Sequence, residues 1–414
     1  FAAYQLARRM GWKKVLVLTF KPAVKHAWAE DLQRHIDFEG WQFITRDGEL
    51  TGADVDSGRP VVCFGSFQDF LQRDRTGAIK PRNEWVHATN WDCVILDEYH
   101  YGAWRENAKG LFGSDEEDEG EVAAEVTKDE QAFDESILPI TTGHYLYLSG
   151  TPFRALASGE FIEEQIFNWT YSDEQRAKRD WPPPGAAAGP NPYASLPRLV
   201  LMTYTLPDEI RQVAEMGEFN EFDLNEFFRA EGEAEGARFE HEDEVQKWLN
   251  LIRGAYKGQT VDDLKLGREK PPLPFADARL MGVLNHTFWF LPSVASCHAM
   301  ANLLRAKQNT FYHDFKVVVA AGARAGICAE ALPPVLEAMD EPLATRSITL
   351  SCGKLTTGVT VRPWAGMLML RKCSSPETYF QSAFRVQSPW TVPDENGVEI
   401  VVKPECYVFD FAPN

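Results

Sequence analysis

Three consecutive apolar residues that end in two adjacent carboxylates, Val94-Ile95-Leu96-Asp97-Glu98, constrain this chain more than any other stretch. A short apolar run of this kind reads as a buried strand. In an open parallel α/β sheet, ligands bind outside the carboxyl ends of the strands. The run therefore delivers both carboxylates to the edge where chemistry is done. There, Asp97 can hold the magnesium of a nucleotide and Glu98 can polarise an attacking water. Taken alone, the stretch is also compatible with an ordinary strand end followed by a solvated acidic turn. What weakens that bland reading is a second apolar run further on, Tyr145-Leu146-Tyr147-Leu148, which ends in the small, hydroxyl-rich turn Ser149-Gly150-Thr151-Pro152.

Other runs repeat the pattern. Residues 13–19 (KKVLVLT), 61–64, 91–96, 142–148 and 199–204 (LVLMTY) read as buried strands, and 26–35 has helical spacing. A second series follows, with strands at 288–291, 316–320, 347–351, 367–370 and 407–411 and a helix at 294–304. Apolar strands alternating with helices predict an α/β chain with doubly wound parallel sheets. Between the two series, 181–197 is rich in proline, alanine and glycine and reads as a linker. Residues 207–280 are charged, with helical spacing at 219–228 and 245–252.

Composition narrows the class. At 414 residues, 44% hydrophobic and 25% charged, the chain has the make-up of a globular protein with room for two or three domains. No apolar run approaches the roughly 20 residues needed to span a bilayer. Residues 1–10 read as an amphipathic helix rather than a secretory signal, so no membrane partner is expected. The seven cysteines are scattered without metal-ligand spacing, the pattern of reduced core thiols in a cytoplasmic protein. A net charge of −19 excludes a uniformly basic nucleic-acid binder but not a local basic groove. Much of the acidity falls in 115–135, which reads as a disordered acidic loop, and in 208–244.

In this order, Asp97-Glu98-Tyr99-His100 and Ser149-Gly150-Thr151 resemble motifs II and III of superfamily 2 helicases of the DExH type. Leu18-Thr19-Phe20-Lys21-Pro22 is similar to motif Ia, and Phe64-Gly65-Ser66 to the next DNA-contacting segment. Phe290-Leu291-Pro292-Ser293 looks like motif IV. Gly353-Lys354-Leu355-Thr356-Thr357-Gly358-Val359-Thr360 resembles motif V, and Tyr379-Phe380-Gln381-Ser382-Ala383-Phe384-Arg385-Val386-Gln387 resembles motif VI. The runs Asp-Glu-x-His-Tyr-Gly, Ser-Gly-Thr-Pro-Phe-Arg and Phe-Arg-Val-Gln look most like the helicase regions of bacterial type I and type III restriction enzymes.

The resemblance implies two tandem RecA-like parallel-sheet domains. The first would span 1–204, with an acidic insert at 113–136, and the second 281–414, with a helical insertion at 205–280 between them. It implies an ATP-dependent translocase using ATP and Mg²⁺, with Asp97, Glu98, His100, Gln381 and Arg385 as its catalytic set and Asp97 as the metal carboxylate. Arg385 would be an arginine finger, Ser149, Gly150 and Thr151 would couple nucleotide state to domain movement, and Thr19, Lys21, Pro22, Ser66, Thr356, Thr357 and Gly358 would contact nucleic acid. Double-stranded DNA is the implied partner, together with nuclease or methyltransferase domains or subunits of the same system. An RNA helicase with the same engine, or a non-catalytic two-lobed scaffold, are the competing readings.

Two departures stand out. Ser388 occupies the place of the family's second motif VI arginine and Phe384 that of a common glycine, which brings Arg371 forward as a possible substitute. No G-x-x-x-x-G-K-[ST] phosphate loop occurs in the 414 residues. Residues 1–9 have the character of the helix that such a loop caps. The expectation is a fragment whose phosphate loop lies immediately before Phe1, with little ATP hydrolysis of its own. No nuclease motif is visible; Glu269-Lys270 reads as solvated surface.

Overall fold

The computed structural model describes residues 1–19, 24–45, 55–66, 70, 83–97, 140–151, 161–183, 185, 189–204, 206–207, 210, 223–255, 272–322, 331–356, 358–373 and 375–411. The chain divides into two compact units, Phe1–Ile166 and Phe167–Asn414.

The first unit is built on a parallel sheet of β1 (Lys14–Thr19), β2 (Gln42–Thr45), β3 (Val61–Ser66), β5 (Cys93–Asp97) and β7 (Tyr145–Leu148), in the order β2-β3-β1-β5-β7. The alternation inherent in a strand explains why these runs are apolar throughout. Val15, Val17, Val62, Phe64, Cys93 and Ile95 enter one core cluster with Tyr4, Ala7 and Leu32. Leu16, Leu18, Cys63, Val94 and Leu96 enter another with Phe70, Val86 and Trp91. The helices Ala2–Met10 and Lys25–Arg34 supply the residues packed in the first cluster. Ala2–Met10 ends at Gly11, whose φ of 71° is the left-handed conformation that glycine adopts at no steric cost.

Two sequence-level strands are each divided in the structure. The run 91–96 becomes β4 (Asn90–Trp91) and β5, because the Asp92 carboxylate accepts hydrogen bonds from the backbone N–H of Lys13 and Lys14, at 2.7 and 2.9 Å. The run 142–148 becomes β6 (Thr141–Thr142), which pairs with β4, and β7, with a break at Gly143 and His144.

The second unit carries a six-stranded parallel sheet. Its strands are β8 (Arg198–Thr203), β11 (His286–Phe290), β12 (Lys316–Val319), β13 (Ser347–Ser351), β14 (Gly366–Met369) and β17 (Glu405–Asp410), in the order β12-β13-β11-β14-β17-β8. Two small antiparallel pairs accompany it: β9 (Ala230–Glu231) with β10 (Arg238–Phe239), and β15 (Thr391–Pro393) with β16 (Glu399–Val401).

This arrangement corrects the domain boundaries read from the sequence. The strand placed at 199–204 in the first domain is β8, which pairs with β17 from Arg198↔Glu405 to Asp410↔Thr203. An apolar strand run does not encode which sheet it joins; pairing with β17 decides it. Nor do the described residues of 205–280 form a separate body. Phe227, Phe228, Trp248, Leu249 and Phe275 share one continuous core with Trp289, Leu350 and Phe409 of the sheet. Trp248 meets Trp289 edge-to-face at 5.9 Å and 86°, a geometry the aromatic quadrupole favours. The helix Val294–Arg305 is tied to the same layer: Ser296 Oγ donates to Phe228 O, and Asn302 Nδ2 donates to Ala234 O and Ala237 O.

Candidate functional site

The register of the first sheet brings Thr19, Ser66 and Asp97 to neighbouring positions at its carboxyl edge: Thr19 pairs with both Ser66 and Asp97, and Asp97 with Leu148. Asp97 closes a strand whose other four residues are buried and is itself half-buried. One of its oxygens, Oδ2, accepts a hydrogen bond from the indole Nε1 of Trp28 at 2.9 Å. Trp28 lies on the helix Lys25–Arg34. Its backbone carbonyl accepts from the Tyr4 hydroxyl at 3.0 Å, and the two rings meet edge-to-face at 5.2 Å. Burial, helped by the charges of Asp31 and Asp97, pushes the Tyr4 phenol well above its usual range, so Tyr4 stays a donor.

Other predicted residues at this edge have different surroundings. Thr19 is fully buried and Ser66 is 3% exposed. Gly65, just before Ser66, is required by packing: a Cβ there would run into the Phe70 ring. In the turn after β7, Ser149 Oγ accepts from Thr151 N at 3.2 Å, Thr151 is buried and Gly150 is exposed. Lys21, Pro22, Glu98, His100, Thr357, the acidic insert and Glu269-Lys270 lie outside the described residues.

The carboxyl edge of the second sheet gathers the segments resembling motifs IV, V and VI. After β13 the chain turns through Leu355 at φ 64° and Gly358 at φ 72°. Lys354 Nζ donates to Gly322 O at 2.5 Å and Thr356 Oγ1 to Gly353 O at 2.6 Å. Arg385, on the 3₁₀ turn Phe384–Gln387, donates through Nε to Gln381 O at 3.1 Å and through Nη1 to Val359 O at 2.9 Å. It thereby joins the motif V-like and motif VI-like segments. Gln381 is half-buried on the helix Pro376–Ala383, whose N-terminus is capped by Ser375.

Arg371 is 6% exposed. Its Nη1 donates to Cys352 O at 2.9 Å and its guanidinium lies 5.0 Å from the centre of the Phe290 ring. Arg371 thus packs against the ends of β11 and β13. Tyr379 Oη donates to Asp410 Oδ2 at 3.0 Å; burial first, and the Asp410 charge second, push its phenol upward.

Among the described residues, Glu226, Glu240 and His241 bring metal-ligating atoms within 4.8 Å of one another, but Glu226 is ion-paired with Arg229 at 2.8 Å. Of the six described cysteines five are buried, and none of the six is in a disulfide. Trp28 and the Arg371 stack were not legible in the sequence: a tryptophan in a helix and an arginine after a strand carry no motif, and only the fold brings each to its partner.

No family model matches the chain. It is 27% identical over 447 aligned positions to a Mycoplasma pneumoniae protein described as a proposed type II restriction enzyme and methyltransferase, C-terminus; the alignment takes in 99% of this chain and 59% of that protein. The chain thus spans about three-fifths of the relative's length. Among solved structures, it is similar to S. cerevisiae Dbp5 bound to RNA and ADP BeF3 (TM-score 0.40, 10% identity, 97% of this chain and 72% of that one). It is also similar to a fragment of a proposed HsdR subunit of a type I restriction enzyme from Vibrio vulnificus YJ016 (TM-score 0.43, 11% identity, 97% and 53%). Structural likeness at that level bears on neither reaction nor substrate. In its motif order the chain resembles superfamily 2 helicases, and in sequence it is similar to the Mycoplasma protein, whose description is that of a restriction enzyme and methyltransferase. No described helix is long and apolar enough to cross a membrane.

Proposed function

We propose that this chain is the ATP-driven motor of a DNA restriction system, a translocase acting on double-stranded DNA. The observation that carries the reading is Asp97, a half-buried carboxylate at the carboxyl end of a parallel strand, followed in sequence by Glu98. A carboxylate oxygen is the hard donor that magnesium prefers, so Asp97 fits the role of holding Mg²⁺ on bound ATP. The cation would neutralise charge on the β- and γ-phosphate oxygens. Glu98 would orient and deprotonate the attacking water, Arg385 would stabilise the charge that develops on the transferred phosphoryl group, and Gln381 would belong to the same segment. His100 and Ser149-Gly150-Thr151 would couple nucleotide state to movement. Lys21, Pro22, Thr356, Thr357 and Gly358 would contact the DNA backbone, with Thr19 and Ser66 shaping the strand ends beneath those contacts.

The test is ATP hydrolysis by the full-length polypeptide, with and without double-stranded DNA. Stimulation by DNA that disappears in Glu98→Gln supports the motor. Stimulation by RNA instead moves the assignment to an RNA helicase with the same engine. A folded protein that hydrolyses no ATP with either nucleic acid is a scaffold.

A further inference from the structure

The second unit carries a cationic cleft at the amino ends of β12 and β13, away from the carboxyl edge of the same sheet. The cleft has a volume of about 270 Å³ and is lined by Leu304, Arg305, Tyr312, His313, Phe315 and Val317. Arg305 ends the helix Val294–Arg305, Tyr312 and His313 lie on the 3₁₀ segment Lys307–Asp314, and Val317 lies on β12, the outermost strand. Its floor is held from below: Tyr312 is buried, and its hydroxyl donates to Leu249 O at 3.1 Å. Phe315 is buried beside it, and the Arg346 guanidinium lies 5.8 Å from the centre of that ring. Lys316 N donates to Arg346 O at 2.9 Å, which sets these two residues next to each other at the starts of β12 and β13.

Across 305–317 the chain has Arg305, Lys307, His313 and Lys316 against a single carboxylate, Asp314. All four are exposed, and neither they nor Arg346 make an ion pair with a carboxylate among the described residues. Elsewhere in the same unit Arg176, Arg179, Arg198, Arg229, Lys247 and Arg279 are each paired with one. In a chain of net charge −19, carboxylate partners are plentiful. Neighbouring cations left without them repel one another, and a basic patch on one face is the electrostatic footprint of a polyanion. Arg305 also complements the partial negative charge at the end of its helix, but that role does not extend to Lys316 or Arg346 on other elements.

We propose that this cleft binds the phosphate backbone of duplex DNA, through Arg305, Lys316 and Arg346. The inference rests on the proposed function for the choice of DNA as the polyanion, and goes beyond it in naming a second surface. The helix Val294–Arg305 has 12 residues, and Ser293 of the motif IV-like segment caps its other end. Its two ends therefore lie about 18 Å apart, so the cleft is a contact separate from that segment. Contacts of this kind add affinity and fix register without reading base sequence.

The test is fluorescence anisotropy of a labelled DNA duplex titrated with the full-length polypeptide over a salt series. The triple variant Arg305→Gln, Lys316→Gln and Arg346→Gln should weaken binding by about tenfold or more at low salt. It should also flatten the dependence of log K on log[salt] by about one per residue, equally for unrelated sequences. A charge-keeping triple variant, Arg305→Lys, Lys316→Arg and Arg346→Lys, should bind as the wild type does; if it loses the same affinity, the effect is structural and the proposal is overturned. A glutamine variant with wild-type affinity and slope also overturns it. In that case DNA-stimulated hydrolysis that disappears in Glu98→Gln would still stand, and only the cleft would fail. A glutamine variant that releases polyglutamate but holds the duplex as before assigns the cleft to an acidic protein and overturns the DNA reading. If the wild-type protein binds no duplex at all, the proposed function fails and this inference with it.

Discussion

The carboxyl edges of the two sheets use similar side chains for opposite ends. At the first, the carboxylate of Asp97 accepts a hydrogen bond from a neutral indole. At the second, positive groups are turned inward. Arg371 is bonded to Cys352 O and stacked on Phe290, Lys354 is bonded to Gly322 O, and Arg385 to Gln381 O and Val359 O. The donor to the carboxylate at the first edge is neutral, whereas at the second edge cationic side chains bond backbone carbonyls of the strand ends and loops. A buried guanidinium that satisfies backbone carbonyls is expensive to remove, because it leaves those acceptors without a partner. A half-exposed carboxylate is cheap to remove for stability and costly for binding.

The comparison can be broken most directly at Arg385. If its two carbonyl bonds describe only a resting position, Arg385→Ala should lower nucleic-acid-stimulated ATP hydrolysis by about 10³-fold with little change in melting temperature. A variant that melts early and hydrolyses normally once folded would place Arg385 with Arg371, as scaffold. Next in size, Asp97→Asn should reduce hydrolysis by about 10²-fold or more, while urea unfolding shows stability kept within ~1 kcal/mol. A large loss of stability would make Asp97 a structural residue. Arg371→Met, which keeps the side chain's bulk, should cost about 2–3 kcal/mol in urea unfolding of the second unit; an unchanged midpoint would remove the contrast between the edges.

The smallest effect is a control at the opposite end of the second sheet. Lys403 is 3% exposed and donates to Arg362 O and Trp364 O at 2.7 and 2.8 Å. Burial pushes its ammonium down to about 7, against a small upward pull from Cys406. Between that value and the ordinary lysine value the unfolded chain binds the extra proton, so stability should rise as pH increases from 7. The gain should be about 1–2 kcal/mol by pH 9. Thermal melts of wild type and Lys403→Met over that range check it; parallel pH profiles would show that Lys403 carries no such linkage.

Much of this molecule is written locally. Runs such as 347–351 are strands in the structure with the same bounds, because an apolar β-branched or leucine run between polar breaks has few other folds open to it. Asp97 is likewise legible, since a carboxylate at the end of such a run goes to the carboxyl edge of the sheet that contains it. The sequence could not decide where 198–203 would pair, because strand pairing is a long-range choice among runs with the same pattern. Nor could it decide that Phe227, Trp248 and Phe275 would close over the second sheet, that Thr19 and Ser66 would be buried, or that Trp28 would reach Asp97 and Arg371 the Phe290 ring. Periodicity fixes which face of an element is apolar; only packing between elements distant in sequence fixes which partner that face, or that polar atom, meets.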